Sequence, residues 1–267
     1  MIKHNEPMAS YLADPALGSS RAKLALKSLR LFKDAEDGIY APKDKGHFQV
    51  GTLIHMRALE PERFAKCVTA TGPINEKTGF PYGRDTKAFA AWQAENPDVM
   101  VVEEWTTILL DRMPPEVKAL LTDGEAEVSV YAENFLQVLA AKCRPDYLKD
   151  TTIIDIKTCN DVDDAERIIY RLKYWFSHAW YRMVMKHVTG KTHHFRFVFA
   201  EKNPPYRWRI VDLDADYSMW AEDQVSKTVE NLGFAASQNN WDDDGDLYMM
   251  ASRPEYSDAG DDDEEGE

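Results

Sequence analysis

The chain lacks any apolar run as long as the roughly 18–20 residues a membrane-spanning helix needs, so no transmembrane segment is expected. Its first residues, Met1-Ile2-Lys3-His4-Asn5-Glu6, lack the apolar stretch of a secretory signal. Cysteine is scarce: Cys67, Cys143 and Cys159 are widely spaced and odd in number. They predict free thiols in a reducing, cytoplasmic setting, and they exclude both a self-contained disulfide framework and a four-cysteine iron–sulfur cluster built by this chain alone. No phosphate-binding Walker loop, dinucleotide fingerprint, G-x-S-x-G elbow or internal repeat is present. His187, His193 and His194 have no cysteine pair or carboxylate at a zinc-ligand spacing, which argues against zinc.

Basic excess is missing too. Net charge is −14, which at first disfavours a nucleic-acid partner. The distribution alters that conclusion. Residues 241–267 hold twelve acids and one base, Arg253, and so carry −11, leaving −3 on the first 240 residues. A local basic groove is compatible with that remainder. The acidic end is expected to be a disordered, solvated tail. As a hypothesis, it either docks a partner or shields a basic groove. The remaining 240 residues are expected to form a single domain, and 44% hydrophobic content supports a sizeable core.

Residues 1–18, with Pro7, Pro15 and Gly18, read as loosely structured. Ser19-Ser20 is expected to cap one helix reaching Phe32, followed by a charged loop to about residue 49. A helix is expected over Val50–Leu59, and a glycine- and proline-rich loop over 68–84. Further helices are expected over Asp85–Glu95, Glu103–Arg112 and Pro115–Leu121. The pattern then changes. Glu125–Tyr131 and Phe135–Cys143 alternate as strands, with Glu133-Asn134 as the turn between them. Thr151–Thr158 is apolar enough to be a central strand. A long helix over Asp161–Val188 follows, then strands over Phe195–Ala200 and Tyr206–Leu213, and a helix over Ala215–Leu232. This order predicts an α/β domain with a mixed central sheet of about five strands flanked by helices, elaborated by N-terminal helices.

The most informative stretch is Arg144-Pro145-Asp146, then Ile153-Ile154-Asp155-Ile156-Lys157. Strand side chains alternate, so Asp155 and Lys157 share a face. Two carboxylates and an ammonium at a strand end suit a divalent cation and a water to be activated, the chemistry of phosphodiester cleavage. Asp146 and Asp155 offer oxygen ligands, and the Ile156 carbonyl offers another. Lys157 is placed to hold or deprotonate the attacking water. Taken alone, D-x-K is a common strand-edge ion pair with no chemistry. Glu127, on a face with Ser129 and Tyr131, is a third candidate acid, with Glu125 its competitor; either is otherwise an ordinary exposed glutamate. His55, one helical turn after Gly51, is a candidate ligand or an ordinary histidine. On the long helix, Arg167, Arg171, Tyr174, His178 and Tyr181 recur every three or four residues, a face suited to a phosphate backbone or, equally, to packing on the sheet.

In this order the pieces resemble the PD-(D/E)XK nuclease superfamily, and more closely phage and prophage exonucleases of the RecE (exodeoxyribonuclease VIII) type. The resemblance runs over roughly residues 8–235. It is carried by Met8-Ala9-Ser10-Tyr11-Leu12, Ser19-Ser20-Arg21-Ala22-Lys23, Gly51-Thr52-Leu53-Ile54-His55, Leu59–Phe64, Glu127–Tyr131, Lys142–Asp146, Ile154–Thr158, Tyr181 and Phe195–Ala200. It implies a restriction-endonuclease-like core and a Mg²⁺ site, with Mn²⁺ able to substitute. His55, Asp146, Asp155 and the Ile156 carbonyl would be ligands, Lys157 the catalytic lysine and Glu127 a further acid. It implies 5′-to-3′ digestion of double-stranded DNA ends, a homo-oligomer, a single-strand annealing partner in recombination, and a bacterial or phage-infected cytoplasm. One departure stands out: a glutamine common four residues before the helix tyrosine is Ser177 here. The alternatives are an endonuclease on the same fold and a non-catalytic DNA-binding or partner-recruiting protein.

Overall fold

The computed structural model describes residues 1–40, 53–54, 56–57, 61–69, 72–102 and 104–242. Eleven strands are present among them: β1 Ile2–Lys3, β2 Leu17–Gly18, β3 Val68–Thr69, β4 Met100–Val101, β5 Glu125–Ala126, β6 Ser129–Phe135, β7 Leu139–Cys143, β8 Tyr147–Lys149, β9 Thr152–Cys159, β10 His194–Glu201 and β11 Trp208–Val211. They build a five-stranded sheet of order β11-β10-β9-β8-β5 and a four-stranded sheet of order β1-β6-β7-β2, with β3 and β4 a separate pair. The larger sheet is mixed: β9 runs parallel to β10, while β8 and β11 are antiparallel to their neighbours. No helix among the described residues is long and apolar enough to cross a membrane.

β9 is central because both of its faces are apolar at its start. Ile153 and Ile154 are fully buried on opposite faces. Burying such a side chain stabilises by roughly 1.5–3 kcal/mol, so the strand is fixed in register as well as in place. Ile153 packs with Phe195, Phe197 and Phe199 under the helices Ser19–Lys27, Tyr174–Thr189 and Ala215–Gln238. Ile154 and Ile156 pack with Val198, Ala200, Leu53, Ile54 and Leu109 on the other face. Alternation therefore sends Asp155 and Lys157 to the side of the helix Tyr174–Thr189.

Several expected elements shift. The single helix expected over Asp161–Val188 is two, Ala165–Arg171 and Tyr174–Thr189, broken where Lys173 adopts a left-handed conformation. The helix expected to reach Phe32 is likewise two, Ser19–Lys27 and Leu29–Glu36. Its break is Ser28, whose Oγ accepts the Leu31 N–H at 2.9 Å and caps the second. The hairpin turn lies at Leu136–Val138, not Glu133-Asn134, because Phe135 is buried against Trp180 and stays in β6. Residues 1–18 are not loose: they supply β1, β2 and the helix Met8–Ala13. Of the helix expected over Val50–Leu59, residues 53–54 and 56–57 are helical and the others lie outside the described residues. The acidic stretch 243–267 also lies outside them.

Candidate active site

The site forms where two strands part. β8 pairs with β9 only from Tyr147↔Ile154 to Lys149↔Thr152, so beyond Ile154 one edge of β9 has lost its neighbour while β10 continues on the other. Asp146, just before β8, fills the gap: its Oδ2 accepts the Ile156 N–H at 2.7 Å. A carboxylate thus takes the ladder position a strand would have occupied. Asp155 projects from β9 with 3% of its surface exposed. Its neighbour Lys157 forms an ion pair with Asp155 Oδ2 and lies 3.5 Å from the Ile156 carbonyl oxygen. Asp155 Oδ2 is buried, and the Lys157 ammonium is the partner it has. Asp146, Asp155, the Ile156 carbonyl and Lys157 therefore come together as the sequence suggested.

Burial pushes the Asp155 carboxyl above its usual range, opposed by Lys157 and reinforced by the charge of Asp146. Lys157, despite burial that favours the neutral amine, is held charged above the ordinary lysine value by Asp155 and then Asp146. Two neighbouring carboxylates beside a backbone carbonyl on the unpaired edge of β9 are a hard-oxygen donor set, and it fits Mg²⁺ or Mn²⁺. His55 lies outside the described residues. Among the described residues no cluster of three or more histidine, cysteine or acidic side chains is gathered for a metal, so the fit rests on two carboxylates and a carbonyl.

Glu127 stands at a kink, not within a continuous strand. With φ of 49° it separates β5 from β6, and its N–H donates to the Asp146 carbonyl at 3.1 Å, tying the kink to the acid-bearing turn. Gly124 permits this path: a Cβ there would stand 2.5 Å from the Leu148 carbonyl oxygen. Arg144 then holds Glu127, donating to its Oε2 at 2.9 Å, to Ser129 Oγ at 2.7 Å and to the Glu6 carbonyl at 2.9 Å. Glu125, the competitor, is exposed and pairs with His4.

The basic and aromatic face expected on one helix is not one face. Arg167 and Arg171 are exposed on the first helix. His178, on the second, is a core residue with 2% exposure, packed on Phe195 and Phe197 and bonded to Ser218 and Arg182; its expected place on a DNA-contacting surface is corrected accordingly. The break at Lys173 puts the two sets on separate helices. Tyr174 and Tyr181 do approach the site. The Lys157 ammonium lies 5.1 Å from the Tyr174 ring centre, and burial, then the charge of Asp155, pushes the Tyr181 hydroxyl well above its usual value. Ser177 is buried, its Oγ 3.5 Å from Ser19 Oγ, so it joins two helices.

Sequence reasoning missed Lys23 and the clamp around Arg144. Lys142 donates to the Tyr11 and Asp14 carbonyls at 2.6 and 2.7 Å, and Tyr131 donates to Glu6 at 2.6 Å. These contacts join residues more than a hundred positions apart, beyond any local pattern. Lys23 had a local signal: it lies one turn after Ser19, on a helix whose buried positions are Ser19 and Ala22.

A mixed sheet that parts beside an acid–x–lysine strand defines a PD-(D/E)XK-type α/β fold. Residues 18–246 match the model of a family described as a PDDEXK-like domain of unknown function (DUF3799), and the chain belongs to that family. A crystal structure named "Putative exonuclease", from Eubacterium rectale, is 14% identical, with 90% of this chain and 88% of that one covered and a TM-score of 0.62. At that identity the likeness is one of fold. A second structure, SSO0001, is 16% identical over 76% of this chain and 84% of that one, with a TM-score of 0.27 that carries no argument. No curated protein matches the chain.

Proposed function

We propose that the protein is a Mg²⁺-dependent exonuclease that hydrolyses phosphodiester bonds from the ends of double-stranded DNA. The observation that carries this reading is the convergence of the buried Asp155 carboxylate with Asp146, the Ile156 carbonyl and Lys157. Asp146, Asp155 and that carbonyl would hold the ion, which supplies charge neutralisation and an activated water when bound. Asp146, through its bond to the Ile156 N–H, fixes the backbone on which the carbonyl is presented. Lys157, paired with Asp155, brings an ammonium to the point where negative charge grows on the phosphate, and its hydrogens orient the attacking oxygen. Glu127, set by Arg144, adds a third acid at the rim.

End specificity, 5′-to-3′ polarity, a homo-oligomer and an annealing partner in recombination extend this reading. They draw support from the resemblance of the ordered motifs to RecE-type exonucleases, and the neighbour's printed name agrees with the exonuclease part. The test is digestion of end-labelled linear duplex with Mg²⁺ or with EDTA, alongside a covalently closed circle. Wild type is expected to degrade the linear DNA only with the ion and to spare the circle. Lys157→Ala is expected to lose about 10²-fold or more of the rate. A cut circle would instead favour an endonuclease, and digestion undiminished in EDTA or in the variant would sink the reading.

A further inference from the structure

We propose that Lys23, on the helix Ser19–Lys27, is a second cation of the site and binds a backbone phosphate of the nucleic-acid substrate next to the one that reacts. This rests on the nuclease reading above. The Lys23 ammonium lies 5.5 Å from the centre of the Tyr174 ring, and the Lys157 ammonium lies 5.1 Å from the same centre. Two cations thus share one aromatic platform. They differ in their partners. Lys157 has Asp155, whereas among the described residues no carboxylate reaches Lys23 within ion-pair distance.

A half-buried ammonium without an anion within ion-pair reach is costly, and the cost shows in its chemistry. Burial, then the repulsion of Lys157, brings the Lys23 amine down to about 7, with Asp155 only partly opposing. This lysine stands over the ring that Lys157 also approaches, with no carboxylate in ion-pair reach among the described residues, and the anion we assign to it is a phosphodiester.

The position is also rigid. Ser19 and Ala22 are buried on the same helix, and Ser177 meets Ser19 from the helix Tyr174–Thr189, whose first residue is the shared tyrosine. Lys23 is therefore carried on two packed helices, not on a loop. The chain places it to set the path of the backbone, while Lys157 remains at the reacting phosphorus.

The test compares wild type with Lys23→Gln, Lys23→Met and Lys23→Arg, the methionine keeping an apolar stem against Tyr174. Binding of a fluorescein-labelled duplex is measured with Ca²⁺ in place of Mg²⁺ across a salt series, and KM and kcat are measured with Mg²⁺. Removing one phosphate contact is expected to weaken duplex binding about 5–20-fold and to flatten the slope of log Kd against log salt by about 0.7–0.9. The loss is expected mainly in KM, with Lys23→Arg restoring most of it and unfolding midpoints close to wild type. An unchanged salt slope in both uncharged variants, in an enzyme that still cuts, overturns the role of Lys23 and leaves the nuclease reading standing. A wild type that neither binds nor cuts duplex overturns the nuclease reading, and this proposal with it.

Discussion

Two buried acids on neighbouring strands meet opposite fates. Glu201, at the end of β10, is 3% exposed, as is Asp155 on β9. Glu201 is saturated: Arg207 donates to it from its backbone N–H at 3.1 Å, from Nε at 2.8 Å and from Nη2 at 3.1 Å. The same guanidinium reaches Asp161 and Asp163, each at 2.7 Å, and Arg209 adds a bond to Asp163 at 2.6 Å. These bonds hold the Glu201 carboxyl below its usual range. Asp155, by contrast, is raised by burial and is met by one cation, Lys157, with Asp146 adding like charge. The strands, the burial and the residue class are alike, so the difference is one of partners. An acid held by several donors serves the fold; a buried one with a raised carboxyl and a single cation beside it is a candidate for chemistry.

Asp155→Asn is the strongest way to break that comparison. Cleavage is expected to fall by at least about 10²–10³-fold, because a charge the reaction uses has gone. Stability is expected to change little, because two effects oppose. A carboxyl whose folded pKa is raised destabilises the fold once pH rises through that value, and an amide removes that penalty but leaves the buried Lys157 ammonium with Asp146 as its remaining anion. The unfolding midpoint in EDTA is therefore expected to stay close to wild type at neutral pH. A variant that loses activity only because it unfolds would place Asp155 with Glu201, as a structural group.

Glu201→Gln is the mirror test. It leaves Arg207 without its best acceptor but still facing Asp161 and Asp163 at a half-exposed surface. The loss is expected to be about 1–2 kcal/mol, less than for a fully enclosed pair because water screens the arginine. Denaturant titration measures it, and digestion of duplex by the folded variant is expected to stay within about twofold of wild type. A deep loss of cleavage with little loss of stability would erase the distinction between the two acids.

What the sequence disclosed follows the same division between local and distant causes. The central strand and its D-x-K face were legible because alternation and β-branched residues act within a few positions. The ends of the helix Ala215–Gln238 were legible only at its start, where Asp214 caps the Tyr217 N–H at 2.7 Å. The break between Ala165–Arg171 and Tyr174–Thr189 was hidden, because a lysine takes the left-handed turn usually marked by glycine. The edge strands β1 and β2 were hidden for another reason. Their pairings, Ile2↔Val130 and Leu17↔Ala141, join the start of the chain to its middle, segments that share no periodicity. In the site, Asp146, Asp155 and Lys157 lie within twelve residues and were readable, whereas the clamp around Arg144 needed the packing.

His178 offers a third, milder case, a buried titratable group that is partly satisfied. Its Nε2 lies 3.1 Å from Ser218 Oγ and 3.2 Å from Arg182 Nη1, while its Nδ1 has no partner. Burial, then the charge of Arg182, brings the imidazole down to about 3. Arg182 is in turn paired with Glu222 at 3.2 Å, and the nearby His193 is also lowered by burial. Below the ordinary histidine value of 6.5 the unfolded chain takes up a proton that the folded His178 refuses until about pH 3. Its contribution to stability is thus complete above pH 6.5 and declines as the medium becomes more acid, by at most about 1.4 kcal/mol per pH unit. His178→Asn is expected to lower stability at pH 7 and to flatten the decline between pH 6.5 and 5, a window that lies above the range where Glu201 begins to titrate. Urea midpoints at four or five pH values decide it: parallel curves for variant and wild type would show that His178 is already charged in the fold.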